Sequence, residues 1–184
     1  MTRAFTFVGG EAGAWRVVGV APVTGEPLAQ IARVAIVNRR LDSLPAGARW
    51  LLRGVTSHER YVTRDEQELR AVKTPALGRA GATCAALIPI KKSASWWDLA
   101  QDERRVIFET RSEHIKMGMQ YLPAVARRLH HCRDLAEPFD FLTWFEYAPS
   151  DSSAFEELVG RLRRTEEWKY VEREVDIRLV RETA

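Results

Sequence analysis

From residue 82 onward the hydrophobic pattern switches repeatedly between the period of a strand and that of a helix, and this alternation constrains the fold more than any other property of the chain. Ala82 to Lys91 is a compact apolar run with strand character. From Ser95 the pattern turns helical. Ser95-Trp-Trp-Asp98 resembles a capping box with aspartate in place of glutamate, and Val106, Ile107, Ile115, Met119 and Leu122 recur at spacings near three, four or their multiples. Pro123 is expected to kink or end that helical region. Phe139 to Tyr147 then reads as an aromatic strand, Asp151-Ser-Ser opens a helix to about Lys169, and Tyr170 to Val180 alternates as a final strand. Helices returning after each strand can cover one face of an antiparallel sheet and leave the other face to a ligand or a partner.

That order is related to the ferredoxin-like β-α-β-β-α-β arrangement, which makes the fold class α+β. The first half is mixed. Ala4 to Val8, Trp15 to Val23, Ile31 to Val37 and Arg49 to Val62 read as short strands between turn residues, and Thr63 to Val72 as a helix with a threonine cap. A division into an abbreviated subdomain over 1–80 and a second over 81–184 follows. At 184 residues the chain can bury a core without staples. Cys84 and Cys132 have no metal-binding spacing and read as reduced, buried thiols. No apolar run approaches the 18 residues of a membrane span, and residues 1–10 lack the apolar core of a signal peptide, so the expectation is a cytoplasmic protein without a membrane partner, or a periplasmic one if a signal was removed. The formal charge is +3, and the one tight basic cluster, Arg161-Leu-Arg-Arg164, is followed by Glu166 and Glu167; no nucleic-acid partner is expected.

The chain carries no GxGxxG, P-loop, GxSxG or HExxH, and four histidines with two scattered cysteines cannot build a dense metal cage. Any catalysis is pushed towards chemistry borne by a cofactor. His114 is the best placed donor. On a helix, Gly118 and Tyr121 share its face, so the imidazole has a side-chain-free gap one turn away that a flat macrocycle needs; the same residues also describe a satisfied core histidine and a tolerated helix glycine. Arg127 lies thirteen residues beyond His114, past Pro123, and reads either as an anion-holding group or as surface, while His130 and His131 read as a solvated helix end. Lys92 followed by Trp96 and Trp97 is a cation with an aromatic wall, suited to a planar ligand bearing carboxylates or, equally, to the start of a core helix.

Taken together, Lys92-Ser-Ala-Ser-Trp-Trp97, Arg111-Ser-Glu-His-Ile-Lys-Met-Gly118, Tyr121 through Arg127, Phe139-Asp-Phe with Phe145-Glu146, and Glu167-Trp-Lys-Tyr170 resemble the chlorite dismutase family, in particular its short, dimeric bacterial members. The resemblance implies a dimeric α+β barrel of two ferredoxin-like halves, with one haem b in the C-terminal half. It implies conversion of chlorite to chloride and dioxygen, by O–Cl cleavage and O–O bond formation. His114 matches the proximal iron ligand and Arg127 the distal arginine, at a position where relatives that decarboxylate coproporphyrin haem usually carry another residue. Glu167, or with a slip in alignment Glu166, matches the acid behind the histidine. Lys92, Trp96, Trp97 and Tyr61 are implied contacts of the haem or its propionates, Gly118 the clearance beside it, and Thr143 and Phe145 the distal wall. A haem peroxidase, a coprohaem decarboxylase and a non-catalytic haem-binding protein are the alternatives.

Overall fold

The computed structural model describes residues 3–56, 64 and 75–182. Among the described residues lie eight strands: β1 (Arg3–Gly10), β2 (Trp15–Thr24), β3 (Arg33–Val37), β4 (Ala48–Thr56), β5 (Cys84–Lys92), β6 (Ala126–His131), β7 (Phe141–Tyr147) and β8 (Val171–Arg181). They close into one barrel in the order β1-β3-β2-β8-β5-β7-β6-β4. Every pairing is antiparallel. Within β1 to β4, and again within β5 to β8, the lateral order is the same: fourth strand, first, third, second. Between β5 and β6 come α1 (Ala94–Asp98), α2 (Gln101–Arg105), a π-helical turn (Val106–Arg111) and α3 (His114–Gln120). Between β7 and β8 come α4 (Ser152–Leu162) and a 3-10 turn (Glu167–Tyr170).

The barrel interior is apolar and aromatic, built from Phe5, Phe7, Trp15, Trp50, Leu87, Trp144 and Ile177 among others. A second core lies outside β5 to β8, where α3 and α4 pack on the sheet through Met117, Tyr121, Phe155, Leu158 and Leu162. In α4 the buried residues Phe155, Leu158, Val159 and Leu162 fall at i, i+3, i+4 and i+7, one helix face. Full burial of each contributes about 1.5–3 kcal/mol. β5 is therefore covered on both sides: Ala85 and Leu87 face the barrel, while Ala86, Ile88 and Ile90 face the helices. That is why residues 85–90 are continuously apolar rather than alternating.

Four expectations change. The sheet face opposite the helices is not open to a ligand or partner, because β2 pairs with β8 and β4 meets β6, wrapping the first half of the chain around it. Residues 126–131 form a strand rather than a solvated helix end, and His130 is 2% exposed. The helix opened by Asp151 stops at Leu162 instead of about Lys169, and Ser93, not Ser95, occupies the cap position of α1. The strand expected over 49–62 is observed to Thr56; its remainder and the helix expected over 63–72 fall largely outside the described residues.

His130 has a thermodynamic consequence. Its ring sits edge-on to Phe5 and Phe7 at 4.9 and 5.1 Å, with Nδ1 3.1 Å from the Leu142 carbonyl. Burial lowers its pKa from 6.5 to about 4, so the folded state resists a proton that the unfolded chain accepts. Stability contributed by the neutral ring is complete above pH 6.5 and is lost as pH falls from 6.5 to about 4, a loss of about 3 kcal/mol. Thermal melting across that window is expected to show the decline, and a His130→Phe variant, whatever its overall stability, is expected to lack that share of it.

Candidate active site: a histidine gripped by a buried carboxylate

The helical region after α2 is broken once before the site. The π-helical turn ends at Arg111, Glu113 takes a left-handed backbone with φ 49°, and α3 starts afresh with His114 as its first residue. This break turns the imidazole towards the 3-10 turn that precedes β8. His114 Nδ1 lies 2.7 Å from Glu167 Oε2, and the ring runs nearly parallel to Phe108 at 4.4 Å and to Trp168 at 6.3 Å.

Glu167 is buried, its side chain 6% exposed, and its backbone N–H donates to Ser112 Oγ at 3.0 Å. Its second oxygen, Oε1, accepts from Lys92 Nζ at 2.8 Å, and the same ammonium donates to the Glu167 carbonyl at 3.2 Å. Burial alone would raise the pKa of this carboxyl, but Lys92 and His114 together hold it down at about 2. The carboxylate is thus charged near neutrality. It accepts the Nδ1–H, which leaves Nε2 as the ring nitrogen that could be offered to a metal. The choice between two adjacent acids is resolved by geometry: Glu166 pairs with Arg111 at 2.9 Å instead.

Lys92 ends β5, only 3% of its side chain exposed, with its ammonium over the Trp96 ring at 4.7 Å and the Trp168 ring at 5.3 Å. It is committed to Glu167 rather than extended towards a ligand carboxylate. Trp96 is 2% exposed, and its buried Nε1 has no hydrogen-bond partner. Trp97 is half-buried; its Nε1 donates to Asp140 at 3.2 Å and the guanidinium of Arg133 lies 3.8 Å from its ring. Asp140 also accepts the Lys92 backbone N–H at 2.7 Å, so one carboxylate locates both residues.

Gly118, buried and one turn along α3 from His114, faces β6: a Cβ built on it would collide with the guanidinium of Arg127. Arg127 stands opposite Phe145 in the β6–β7 register, and Leu129 stands opposite Thr143, so these four share the sheet face that looks towards the helices. Phe145 is buried edge-on to Phe155 at 5.3 Å, Thr143 is half-buried, and Leu129 is 43% exposed. His114, Gly118 and Arg127 therefore converge, with Glu167, Lys92 and Trp96 behind the histidine. Tyr61 lies outside the described residues. The sequence assigns no role to Phe108, Trp168 or Asp140, although the last two lie within the motifs Glu167-Trp-Lys-Tyr170 and Phe139-Asp-Phe. The last carries a visible signal, an acid in the middle of the apolar run Phe139 to Leu142.

Among the described residues no group of three or more His, Cys, Asp or Glu is arranged to hold a metal ion. The donor set here is one imidazole backed by a carboxylate, which suits an iron whose remaining equatorial ligands arrive with a macrocycle. The side-chain-free surface of Gly118 and the unpaired indole N–H of Trp96 fit the same kind of group.

Comparisons with known proteins identify the family. The chain resembles a dimeric chlorite dismutase from Nitrobacter winogradskyi, 56% identical, over 97% of this chain and 99% of that one with a TM-score of 0.89. A chlorite dismutase from Candidatus Nitrospira defluvii, solved in complex with imidazole, shares the fold at 21% identity, over 96% of this chain and 90% of that one with a TM-score of 0.69. The chlorite dismutase of Ideonella dechloratans is 34% identical over 126 residues, which is 64% of this chain and 40% of that protein's length. The chlorite dismutase family model matches residues 30–182, and the chain belongs to that family.

Proposed function

We propose that the protein is a haem b-dependent chlorite dismutase, converting chlorite to chloride and dioxygen, and that it works as a homodimer, as the Nitrobacter winogradskyi relative's dimeric state supports. The observation that carries the reading is the convergence of His114, Gly118 and Arg127, with a charged Glu167 on the histidine's Nδ1. The repeated strand order supports two ferredoxin-like halves, over 1–80 and 81–184, with the haem in the second.

His114 Nε2 would hold the iron, and Gly118 would leave room for the macrocycle between α3 and β6. Bound haem supplies the redox chemistry that breaks the O–Cl bond and joins the two oxygens. The residues do the rest. Glu167 keeps the Nδ1 proton in place and makes the imidazole a stronger donor, while Lys92 keeps Glu167 ionised. Trp96 and Trp97 would line the macrocycle, and Thr143 and Phe145, with Leu129, would form the opposite wall and exclude water. Arg127, permanently charged, would draw in the chlorite anion and confine its fragments at the site.

Purified protein loaded with haem is expected to release dioxygen on an electrode immediately after chlorite is added. Haem-loaded protein that turns over peroxide or decarboxylates coproporphyrin haem but gives no dioxygen would place it with the other activities. Gly118→Ala separates the clearance role from a helical one. Alanine is favoured over glycine in a helix interior by about 1 kcal/mol, and although Gly118 is buried, what its Cβ would meet is the mobile end of the Arg127 side chain, so the haem-free protein is expected to melt no lower. Haem affinity, read by absorption titration, is nevertheless expected to fall by about tenfold, the low end for disturbing a metal site's supporting shell.

A further inference from the structure

The orientation of a metal-binding imidazole is set by what surrounds its ring, and Glu167 grips His114 at a single atom, Nδ1. A second restraint lies in the π-helical turn Val106–Arg111, a type of backbone widening that is concentrated at functional sites. Phe108 of this turn lies nearly parallel to the imidazole, with ring centroids 4.4 Å apart and planes at 23°. Glu109 of the same turn directs its carboxylate onto the start of α3. The N–H of Ile115 donates to Oε2 at 2.7 Å and that of Lys116 to Oε1 at 3.3 Å. These are the two amides that follow His114, and the first amides of a helix have no acceptor within the helix itself. The residue in the cap position, Glu113, is left-handed and makes no side-chain cap bond. Capping is thus supplied from the preceding turn, by a residue that also belongs to the backbone carrying Phe108.

We infer that Glu109 is a positioning residue for the axial histidine: its carboxylate clamps the first turn of α3 so that, with Phe108 against the ring, the imidazole meets the iron at a fixed angle. The inference rests on the haem reading given above and deepens it. Because Glu109 acts on backbone amides, its effect has two separable signatures, one in the haem-free chain and one at the iron.

The experiment compares wild type with Glu109→Ala, Glu109→Gln and Glu109→Asp. In haem-free protein, hydrogen exchange at the Ile115 and Lys116 amides is expected to quicken about tenfold in Glu109→Ala, the size expected for losing a charged cap. In ferrous haem-loaded protein, the iron–histidine stretching band is expected to broaden and move to lower frequency in that variant. Glu109→Gln keeps an acceptor of the same reach and is expected to restore the wild-type band and exchange to within about threefold. Glu109→Asp keeps the charge but is one methylene short, and is expected to follow Glu109→Ala, so the test stands even if the alanine variant does not fold. Wild-type exchange and a wild-type stretching band in Glu109→Ala or Glu109→Asp overturn the clamp. A wild-type protein that binds no haem through His114 contradicts the haem reading instead, while the exchange measurement still decides the clamp.

Discussion

Replacing His114 by alanine is expected to strip the protein of haem. The imidazole is the donor the site offers for an axial bond, and its Nδ1 is already occupied by Glu167 at 2.7 Å. Altering residues that merely support a metal's ligand costs about 10–100-fold in affinity, so losing the ligand is expected to cost more than about 100-fold. The absorption spectrum after gel filtration should show little haem, and chlorite-dependent oxygen release should disappear with it. The fold should survive. The ring is partly exposed, but its removal leaves Glu167 buried with Lys92 as its remaining charged partner. A His114→Ala protein that keeps full haem occupancy with an unchanged Soret band would falsify the ligand assignment.

The second large effect is expected at Arg127, with the opposite signature. Arg127→Ala should keep its haem, because the guanidinium stands on β6 across from α3, whereas the imidazole is held at Nδ1 by Glu167. Activity should fall steeply. Removing a charged donor aimed at the reacting anion typically costs about 100–1,000-fold in rate. A higher KM for chlorite, faster loss of activity during turnover and hypochlorite in solution are expected together, since one group both attracts the anion and retains its fragment. Trapping hypochlorite with a chlorinatable dye measures that leak. An Arg127→Ala enzyme as active and as durable as the parent removes the arginine from the mechanism.

The second half of the chain could be read in outline because its helices are amphipathic and β5 is covered on both faces, which leaves plain patterns at 84–92 and 152–162. β6 could not. Its sequence, Ala126-Arg-Arg-Leu-His-His131, carries four polar residues, and one of them, His130, is buried as a neutral ring between aromatic side chains, where polarity misleads. Closure of the barrel was equally hidden. The β2–β8 and β4–β6 seams join residues that are far apart in sequence, such as Val20 with Ile177 and Val55 with His131, and no local periodicity encodes such pairs. At the site, His114, Gly118 and Arg127 were visible as a motif. Lys92 was legible as a cation of the site but its pairing was not, because a lysine in sequence does not reveal that its ammonium turns inward to a buried carboxylate. Glu109 left no trace in the helical pattern, since its contact with Ile115 spans six residues across a π-helical turn and a left-handed Glu113.

The most direct test is isotopic. Chlorite labelled with heavy oxygen, given to the haem-loaded protein in unlabelled water, should yield dioxygen in which both atoms carry the label, with one chloride for each dioxygen, as the proposed confinement by Arg127 of both oxygens of one chlorite requires. Dioxygen that contains solvent oxygen, or chlorite consumption without dioxygen, would contradict it.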